Sequence, residues 1–312
     1  MLKTTLRYHP RLFVFCLLLF VTIPALASPG FLVDADWLAE HIEDEDLVLL
    51  EVRYHPHRYY TVGHIPGAAQ VQRFKDLGDN DAVPLMRFPS HTDFQTHLRS
   101  WGVNNNSTIV IYDDSRTALA SRLYFMLALY GFEIDRVNVL NGGTLEWSAF
   151  NDTVKEPSQI TPGNVDLKPA NQELLVEWGD VYDDVVSRRD ESVVLLDARP
   201  REMYTGELIQ HSIQGGHIPG AVNIVSLDGT DGQSQKWLDD DALGTMYQSV
   251  PKDKRIYLYC HDGFRMSLAW MQLKHLGYLD VRLYNGGWSH WGNELTLPVV
   301  EGDEPYGGDY VL

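Results

Sequence analysis

The strongest candidate nucleophile of this chain is Cys260, which lies where a strand is predicted to meet a helix. Residues 256–259 form a short apolar run typical of a buried strand, and residues 266–276 have the helical period and end at Gly277. A thiol at this junction faces the free N–H groups of the first helical turn, which favour the thiolate over the thiol. Arg265 adds a positive charge to the same loop. The sequence therefore predicts an anion cradle around one nucleophilic sulfur.

The residues after Cys260 are predicted to complete this site. Their backbone N–H groups can surround an anion, and Gly263 permits the tight curvature that this requires. The candidate binding residues are His261, Asp262, Gly263, Phe264, Arg265 and Met266. His261 beside a nucleophile suggests a general base, but an ionised thiol needs none, so we interpret His261 as a residue of the loop.

The N-terminus is predicted to be an export signal over residues 1–27. Three basic residues precede an apolar run at residues 12–23, which is short for a membrane span, and an Ala-Leu-Ala sequence ending at Ala27 supplies a cleavage site. An uncleaved anchor is the alternative, which the Ala-x-Ala ending disfavours. We expect the mature chain to begin at Ser28 and to be periplasmic or secreted.

Cleavage of this signal would leave an acidic chain with one cysteine. Cys16 would be lost, so Cys260 could form no intramolecular disulfide, and a lone exported thiol favours a functional role. The mature chain would carry 22 basic and 43 acidic residues, a net charge of about −21. That balance argues against nucleic acid and, after cleavage, against membranes as partners. The 12 histidines show no metal-ligand spacing with cysteine, so we expect no metal.

The two halves of the chain repeat each other in the same order, with offsets between 144 and 153 residues. The matching segments are 49–53 with 195–199, 63–68 with 216–221, 109–112 with 256–259, 130–132 with 276–278 and 139–147 with 283–291. Each half alternates apolar strands with helical stretches. This pattern predicts an α/β fold of two tandem domains, each a mostly parallel sheet flanked by helices.

A stretch rich in Pro, Gly and polar residues separates the halves and predicts a linker. We place the N-terminal domain at residues 28–155, the linker at 156–170, the C-terminal domain at 171–302 and a tail at 303–312. Ligands of an open parallel sheet bind outside the carboxyl ends of its strands. Only the C-terminal domain has a cysteine there. The N-terminal loop reads Asp113-Asp114-Ser115-Arg116-Thr117 and is one residue longer, so we expect an inactive duplicate.

These motifs resemble the rhodanese family of sulfurtransferases in its tandem two-domain form. The marks are the Asp-Ala-Arg sequence at Asp197, the Gly-His-Ile-Pro-Gly-Ala segment, the cysteine loop and the Asn-Gly-Gly-x-x-x-Trp ending, which together cover about residues 29–298. The resemblance implies an active C-terminal and an inactive N-terminal domain. It also implies that Cys260 takes a sulfane sulfur from a small sulfur-containing anion or a persulfide. The sulfur then passes to a thiol or cyanide acceptor, which could be a protein, and no cofactor is needed.

This sequence departs from tandem rhodaneses that prefer thiosulfate at two positions. Such enzymes usually carry an arginine where this chain has Met203, and often a lysine where it has Asp262. Two anion-binding cations are therefore absent, and the Cys-x-x-Gly-x-Arg loop is more like that of single-domain rhodaneses. Arg201 lies near the first position, but its spacing is wrong for a replacement.

Several residues near the site are predicted to be structural. Asp197 and Arg199 are expected to form a buried ion pair that ties the end of the sheet to the active loop. His217 is also expected to be structural. All three have counterparts in the half that lacks the cysteine, namely Glu51, Arg53 and His64, which is internal evidence for a role in the scaffold.

Three other functions compete with sulfur transfer. A phosphatase of the rhodanese-fold class needs five residues between cysteine and arginine to encircle three oxygens, whereas four intervene here. A non-enzymatic binding module fits the N-terminal half better than the half with an intact cysteine loop. A redox or peroxide-handling thiol would need an outside thiol, because the mature chain has no resolving cysteine.

Overall fold

The computed structural model describes residues 30–307 and contains two five-stranded parallel sheets, one in each half of the chain. The strands are β1 (Leu32–Val33), β2 (Leu47–Arg53), β3 (Ala69–Gln72), β4 (Thr108–Asp113), β5 (Val137–Leu140), β6 (Leu175–Val176), β7 (Val193–Asp197), β8 (Ala221–Asn223), β9 (Arg255–Tyr259) and β10 (Val281–Tyr284). Their spatial orders are β1-β5-β4-β2-β3 and β6-β10-β9-β7-β8. The second order is the first repeated, so the sequence repeat is a repeat of topology.

Helices lie on both faces of each sheet and connect its strands. They are α1 (Ala35–His41), α2 (Arg58–Thr61), α3 (Arg73–Asp76), α4 (His91–Ser100), α5 (Ala118–Leu129), α6 (Gly143–Ser148), α7 (Trp178–Val181), α8 (Arg201–Thr205), α9 (Asp240–Met246), α10 (Phe264–His275) and α11 (Gly287–Trp291). Short 3₁₀ turns occur at Ile134–Arg136, Gln172–Leu174 and Ser226–Gly229, and a π-helix at Tyr182–Ser187. The predicted α/β class with two tandem domains is confirmed.

The central strands β4 and β9 carry the two loops of interest. Both are continuous apolar runs, and all of β9 from Ile256 to Tyr259 is buried, as expected for parallel strands covered on both faces. β9 pairs with β7 on one side and β10 on the other. Cys260 therefore leaves the middle of the sheet at its carboxyl edge, the position predicted for a ligand site.

The helices that follow these two strands form the centre of the contact between the domains. α5 and α10 are buried on almost every side, which is the pattern of a helix enclosed in a core. They pack against each other, and the ring of Phe125 meets that of Trp270 edge-on at 5.0 Å between centroids. One hydrophobic cluster runs continuously from the first domain into the second. The two domains therefore share a core behind the cysteine loop.

Polar contacts also join the domains. Arg116 donates from Nε to the hydroxyl of Thr230 at 2.9 Å and from Nη2 to the Thr230 carbonyl at 2.7 Å. The Trp237 indole N–H donates to the hydroxyl of Thr117 at 3.1 Å. These bonds fix the N-terminal loop that follows β4 against the C-terminal domain.

The predicted linker, residues 156–170, runs without regular structure along the N-terminal domain. Its Val165 is fully buried, and the Val165 N–H donates to the carbonyl of Val103 at 3.1 Å. At the other end, the Gly220 N–H donates to the Pro305 carbonyl at 2.6 Å, so the described part of the tail is bonded to the second domain. The boundaries proposed from the sequence stay predictions.

The predicted signal, residues 1–27, and residues 308–312 of the predicted tail lie outside the described residues. Within residues 30–307, no helix combines the length and the apolar character that crossing a membrane requires.

Candidate active site

Cys260 directly follows β9, and α10 begins four residues later at Phe264. The turn between them depends on Gly263, which caps the helix with φ of 101°, a backbone conformation that glycine adopts without strain. The Gly263 N–H donates to the Cys260 Sγ at 3.1 Å, and the nearby Met266 N–H also lowers the pKa of this thiol. The sulfur thus faces backbone amides at the start of a helix.

The carbonyl groups of this loop point the other way, towards α11. The Trp288 N–H donates to the Cys260 carbonyl at 2.8 Å, and the Ser289 N–H donates to the His261 carbonyl at 3.0 Å. A Cβ on Gly287 would lie 2.7 Å and 2.8 Å from these two carbonyl oxygens, so the residue must be glycine. The second glycine of the Asn-Gly-Gly motif therefore lets α11 hold the carbonyls while the amides turn to the sulfur.

Burial decides the ionisation of this thiol. Cys260 has no solvent exposure, and burial raises its pKa above the ordinary value, with Asp262 adding to the effect. The Met266 N–H, the Arg265 charge and the Gly263 N–H lower the pKa but do not outweigh burial. The expectation that the loop alone keeps the sulfur ionised is therefore wrong. The sulfur is therefore covered by its neighbours in this structure.

The predicted binding residues contribute in different ways. His261, Asp262 and Arg265 are half-buried, whereas Phe264 and Met266 are buried, so these two offer backbone groups to the site. Arg265 has no carboxylate within ion-pair distance among residues 30–307, which leaves its charge available for an anion. Burial lowers the pKa of His261, which keeps its ring neutral.

Asp197 and Arg199, which were predicted to be structural, form an ion pair next to the cysteine loop. The Arg199 Nη2 lies 2.5 Å from the Asp197 carboxylate in a buried ion pair and donates to the Gly216 carbonyl at 2.7 Å. Its guanidinium also lies 4.3 Å from the ring centroid of Trp288, a residue of α11. This ion pair therefore links the end of β7 to the helix that holds the cysteine loop.

His217 stacks on Tyr204 at 3.7 Å between ring centroids, and its Nδ1 bonds to the Tyr204 carbonyl at 2.9 Å. His64 stacks on Tyr59 at 3.5 Å with the corresponding bond at 3.0 Å. The two domains build the same packing unit. Arg201, which lies near the position of the absent arginine at Met203, forms an ion pair with Asp303 at 2.5 Å on the surface.

Two arginines of the N-terminal domain were missed from the sequence: Arg122 contacts the loop directly, and Arg73 stacks on Phe74, a residue that meets the loop. Arg122 on α5 is fully buried and donates to the Asp262 carbonyl at 3.1 Å. Its signal was a single charge inside an otherwise apolar helix. Arg73 lies 3.6 Å from the ring centroid of Tyr54 and 4.0 Å from that of Phe74.

The half-exposed ring of Phe74 meets the buried ring of Phe264 edge-on at 6.4 Å. On the other side of the loop, His211 lies 5.9 Å from the His261 ring. It belongs to a stretch that exposes Leu208, Ile209 and Ile213. No sequence motif predicts that the segments around Phe74 and His211 contact the cysteine loop, because they become its neighbours only when the chain folds.

The corresponding loop of the N-terminal domain holds a carboxylate in place of the thiol. Asp113 directly follows Tyr112 as Cys260 follows Tyr259, and it is buried. Its Oδ1 accepts from the N–H groups of Ser115 and Thr117 at 3.1 Å and 3.0 Å. Its Oδ2 accepts from those of Leu119 and Ala120 at 2.8 Å and 3.0 Å. Four amides thus surround one side chain that the domain itself supplies.

The rhodanese-like domain family matches this chain twice, at residues 34–150 and 182–294. The chain belongs to the rhodanese family. It carries the tandem form, with the intact cysteine loop in the second rhodanese domain. Both matches fall on the two sheets described above.

Several known proteins resemble most of this chain. It is 30% identical to the sulfur carrier protein TtuD of Thermus thermophilus over 295 residues, which are 89% of this chain and 99% of that protein. It is 32% identical to the putative thiosulfate sulfurtransferase SseA of Mycobacterium bovis, covering 91% of this chain and 95% of that protein.

Among solved structures, SseA from Escherichia coli, one of the 3-mercaptopyruvate sulfotransferases, superposes with a TM-score of 0.72. It is 27% identical, and the match covers 83% of this chain and 99% of that one. The tandem arrangement is therefore shared at the level of the whole structure.

Other parts of the described chain do not add to this site. A cavity of about 340 Å³ between the domains is lined by Arg87, Tyr130 and Asn285, among others, and does not include Cys260. Within residues 30–307, no cluster of three or more His, Cys, Asp or Glu side chains is placed to hold a metal ion.

Proposed function

We propose that this rhodanese is a sulfurtransferase that carries a sulfane sulfur as a persulfide on Cys260. The observation that carries the proposal is the pair of equivalent loops. Asp113 and a cysteine persulfide share one connectivity, in which Cβ bears a central atom that in turn bears an anionic terminal atom. In the N-terminal loop that terminal anion accepts backbone N–H groups at the start of α5.

The C-terminal loop offers the same donors to a sulfur. Thr117 and Gly263 both cap their helices in the left-handed conformation, so Leu119 and Ala120 correspond to Arg265 and Met266. The amides of Gly263 and Met266 already face Sγ. An outer persulfide sulfur would occupy the position that Asp113 Oδ2 takes in the other loop, beside the amides of Arg265 and Met266.

The chemistry proceeds in two balanced steps. With thiosulfate, the Cys260 thiolate attacks the outer sulfur, a new S–S bond forms, and the old S–S bond breaks with its electron pair leaving on sulfite. The amides hold the resulting persulfide anion while Arg265 holds the leaving oxyanion. An acceptor such as cyanide then attacks the outer sulfur, leaves as thiocyanate and returns the thiolate.

The donor belongs to the class of small anions with a transferable sulfur, or to low-molecular-weight persulfides. The relatives named for thiosulfate and for 3-mercaptopyruvate support this class. Met203 is buried, and Arg201 is paired at the surface with Asp303. The structure therefore supplies Arg265 and leaves unfilled the position at which thiosulfate-preferring relatives carry a second cation.

Export also remains a proposal. The basic and apolar pattern of residues 1–27 supports secretion to the periplasm or beyond. A protease-protection assay on fractionated cells would test it, and retention of an uncleaved chain in the cytosol would contradict it.

A donor screen tests the proposed function directly. The protein is exposed in turn to thiosulfate, 3-mercaptopyruvate and an organic persulfide, and the peptide that contains Cys260 is weighed by mass spectrometry. We expect one added sulfur atom that cyanide removes as thiocyanate, and none in Cys260→Ser. Absence of the adduct with every donor, together with turnover of p-nitrophenyl phosphate, would replace sulfur transfer by phosphatase chemistry.

A further inference from the structure

Arg122 is a buried cation without an acidic partner. Its guanidinium has no solvent exposure, and its three hydrogen bonds all go to backbone carbonyls, namely Leu77 at 2.7 Å, Met86 at 2.7 Å and Asp262 at 3.1 Å. Within residues 30–307, no carboxylate lies within ion-pair distance of it. Carbonyl groups satisfy its N–H donors but do not neutralise its charge.

Such an arrangement is costly unless the charge serves a purpose. A buried ion is ordinarily paired, because removing it from water is energetically costly. Burial lowers the pKa of Arg122 to about 10, which still leaves the group charged near neutral pH. Its field therefore acts on the groups enclosed with it, where the effective dielectric is low.

The group enclosed with it is the cysteine loop. A Cβ added to Gly263 would lie 1.8 Å from Arg122 Nη1, so the guanidinium packs directly against the residue whose N–H donates to Sγ. Its central carbon lies 5.3 Å from the ring centroid of Phe264. Gly263 is thus required for the curvature of the loop and also for the approach of this cation.

The repeat shows that this cation belongs to one domain only. By the correspondence of the helix caps, Arg122 on α5 matches Leu268 on α10, which is buried in the shared core. The domain without the cysteine carries the arginine, and the domain with the cysteine carries leucine. The asymmetry aims a positive charge from the inactive half at the loop of the other half.

We infer that Arg122 is a positioning residue through which the N-terminal domain stabilises negative charge on the Cys260 sulfur. The inactive domain then has a chemical task, because ionisation of the thiol adds to the negative charge that compensates its cation, beside that of Asp262. The same field stabilises the anionic persulfide, and this second statement rests on the proposed function. Arg265 is partly exposed and belongs to the loop itself, whereas Arg122 contacts the same loop from the domain interface.

A titration of the sulfur tests this inference without any sulfur donor. Ultraviolet thiolate absorbance is followed against pH as the difference between each protein and its Cys260→Ser counterpart, which cancels Cys16 and the tyrosines. The variants are Arg122→Gln, which is neutral but can still donate to carbonyls, and Arg122→Lys, which keeps the charge. Arg116→Gln is the matched control, because Arg116 also donates to carbonyls across the interface but contacts Thr230 and Leu227.

We expect Arg122→Gln to shift the titration midpoint upward by about one pH unit, the usual effect of losing one nearby charge. Persulfide formation at neutral pH should then slow about tenfold, since the thiolate fraction falls in proportion. Arg122→Lys and Arg116→Gln should keep midpoints near that of the wild type. Thermal unfolding confirms that each variant is folded.

Two results would overturn the inference. One is a folded Arg122→Gln protein with the wild-type midpoint. The other is an Arg122→Lys protein whose titration midpoint rises by about one pH unit, the shift expected for a neutral variant. This second result would overturn the inference even if Arg122→Gln does not fold. Because the titration needs no donor, a protein that never forms a persulfide but shows the expected shifts would refute sulfur transfer and keep the role of Arg122.

Discussion

The loops that follow β4 and β9 have the same position in their domains and the same left-handed helix cap. They differ in the side chain that faces the backbone amides, which is Asp113 in the first loop and Cys260 in the second. In the first, Asp113 takes four backbone N–H groups with two fixed oxygens. In the second, a single sulfur faces the corresponding amides. The inward-facing amides at the start of the helix are therefore a property of the repeated fold. What differs is the side chain that accepts from these amides, a carboxylate with two oxygens in the first loop and a single sulfur in the second.

The glycine after each loop supports the same interpretation. A Cβ on Gly143 would lie 2.1 Å from the Asp113 carbonyl, as one on Gly287 would crowd the Cys260 carbonyl. Both glycines therefore hold the loop carbonyls away from the cradle. The inactive domain therefore retains the glycine that lets its loop amides point inward. These amides donate to its own Asp113.

The largest expected effect comes from removing the Asp113 carboxylate, which accepts from the amides of the N-terminal loop. Asp113→Ala leaves four buried N–H groups without their acceptors, so we expect the free energy of unfolding to fall by about 2–4 kcal/mol. Cys260→Ala removes one buried sulfur and should cost about 1 kcal/mol. Urea unfolding of both variants, followed by tryptophan fluorescence, measures the difference.

Asp113→Asn is the control for the first prediction, because it keeps the shape of the side chain but presents donors to some of the same amides. It should fall between the wild type and Asp113→Ala. Equal losses of stability for Asp113→Ala and Cys260→Ala would show that the two cradles are not used differently.

A smaller effect is expected from Arg265, which occupies the position of Leu119 in the other loop. Arg265→Ala removes the free cation beside the cradle, so KM for thiosulfate should rise about tenfold while kcat changes little. Steady-state thiocyanate formation provides both constants.

Arg265→Lys is the matched variant, since it keeps the charge and loses the planar fork, and it should show a smaller rise in KM. A neutral trisulfide donor should be almost insensitive to either change. An equal rise in KM for the anionic and the neutral donor would remove Arg265 from anion binding.

Much of this comparison could be predicted from the sequence. The repeat, the two sheets and the position of Cys260 follow from motifs that recur at fixed offsets and from apolar strands that end in loops. The structural role of Asp197 and Arg199 follows from their survival as Glu51 and Arg53 in the other half. Local patterns carry this information because each motif folds within its own domain.

The contacts between the domains could not be predicted in the same way. Arg122 and Phe74 are far from Cys260 in sequence, and only the packing of α5 against α10 and of Phe74 against Phe264 brings them to the loop. The ionisation of the thiol was also misjudged, because the amides and Arg265 are visible in the sequence whereas complete burial is not. Desolvation depends on the neighbours of the loop, and these include Arg122 and Phe74 of the other domain.

The smallest expected effect concerns pH and Asp262. Burial first, and then Asp262, raises the pKa of Cys260, so the thiol is mostly protonated at neutral pH. The rate of persulfide formation should therefore rise with pH, about tenfold per unit, until the thiol is ionised. Stopped-flow measurement of sulfite release from thiosulfate across the pH range gives this profile.

Asp262→Asn should move that profile to lower pH, because it removes the acidic side chain nearest in sequence to the thiol. The gain in rate at neutral pH should be no more than about a few-fold, since Asp262 is half-exposed and water and salt screen its charge. The gain should also shrink as salt is added. In the N-terminal loop, Asp114→Asn is the control, because Asp114 pairs with Arg58 at 2.9 Å and should leave the profile unchanged. A profile that Asp262→Asn leaves in place would mean that burial and the two guanidinium groups alone determine when the sulfur ionises.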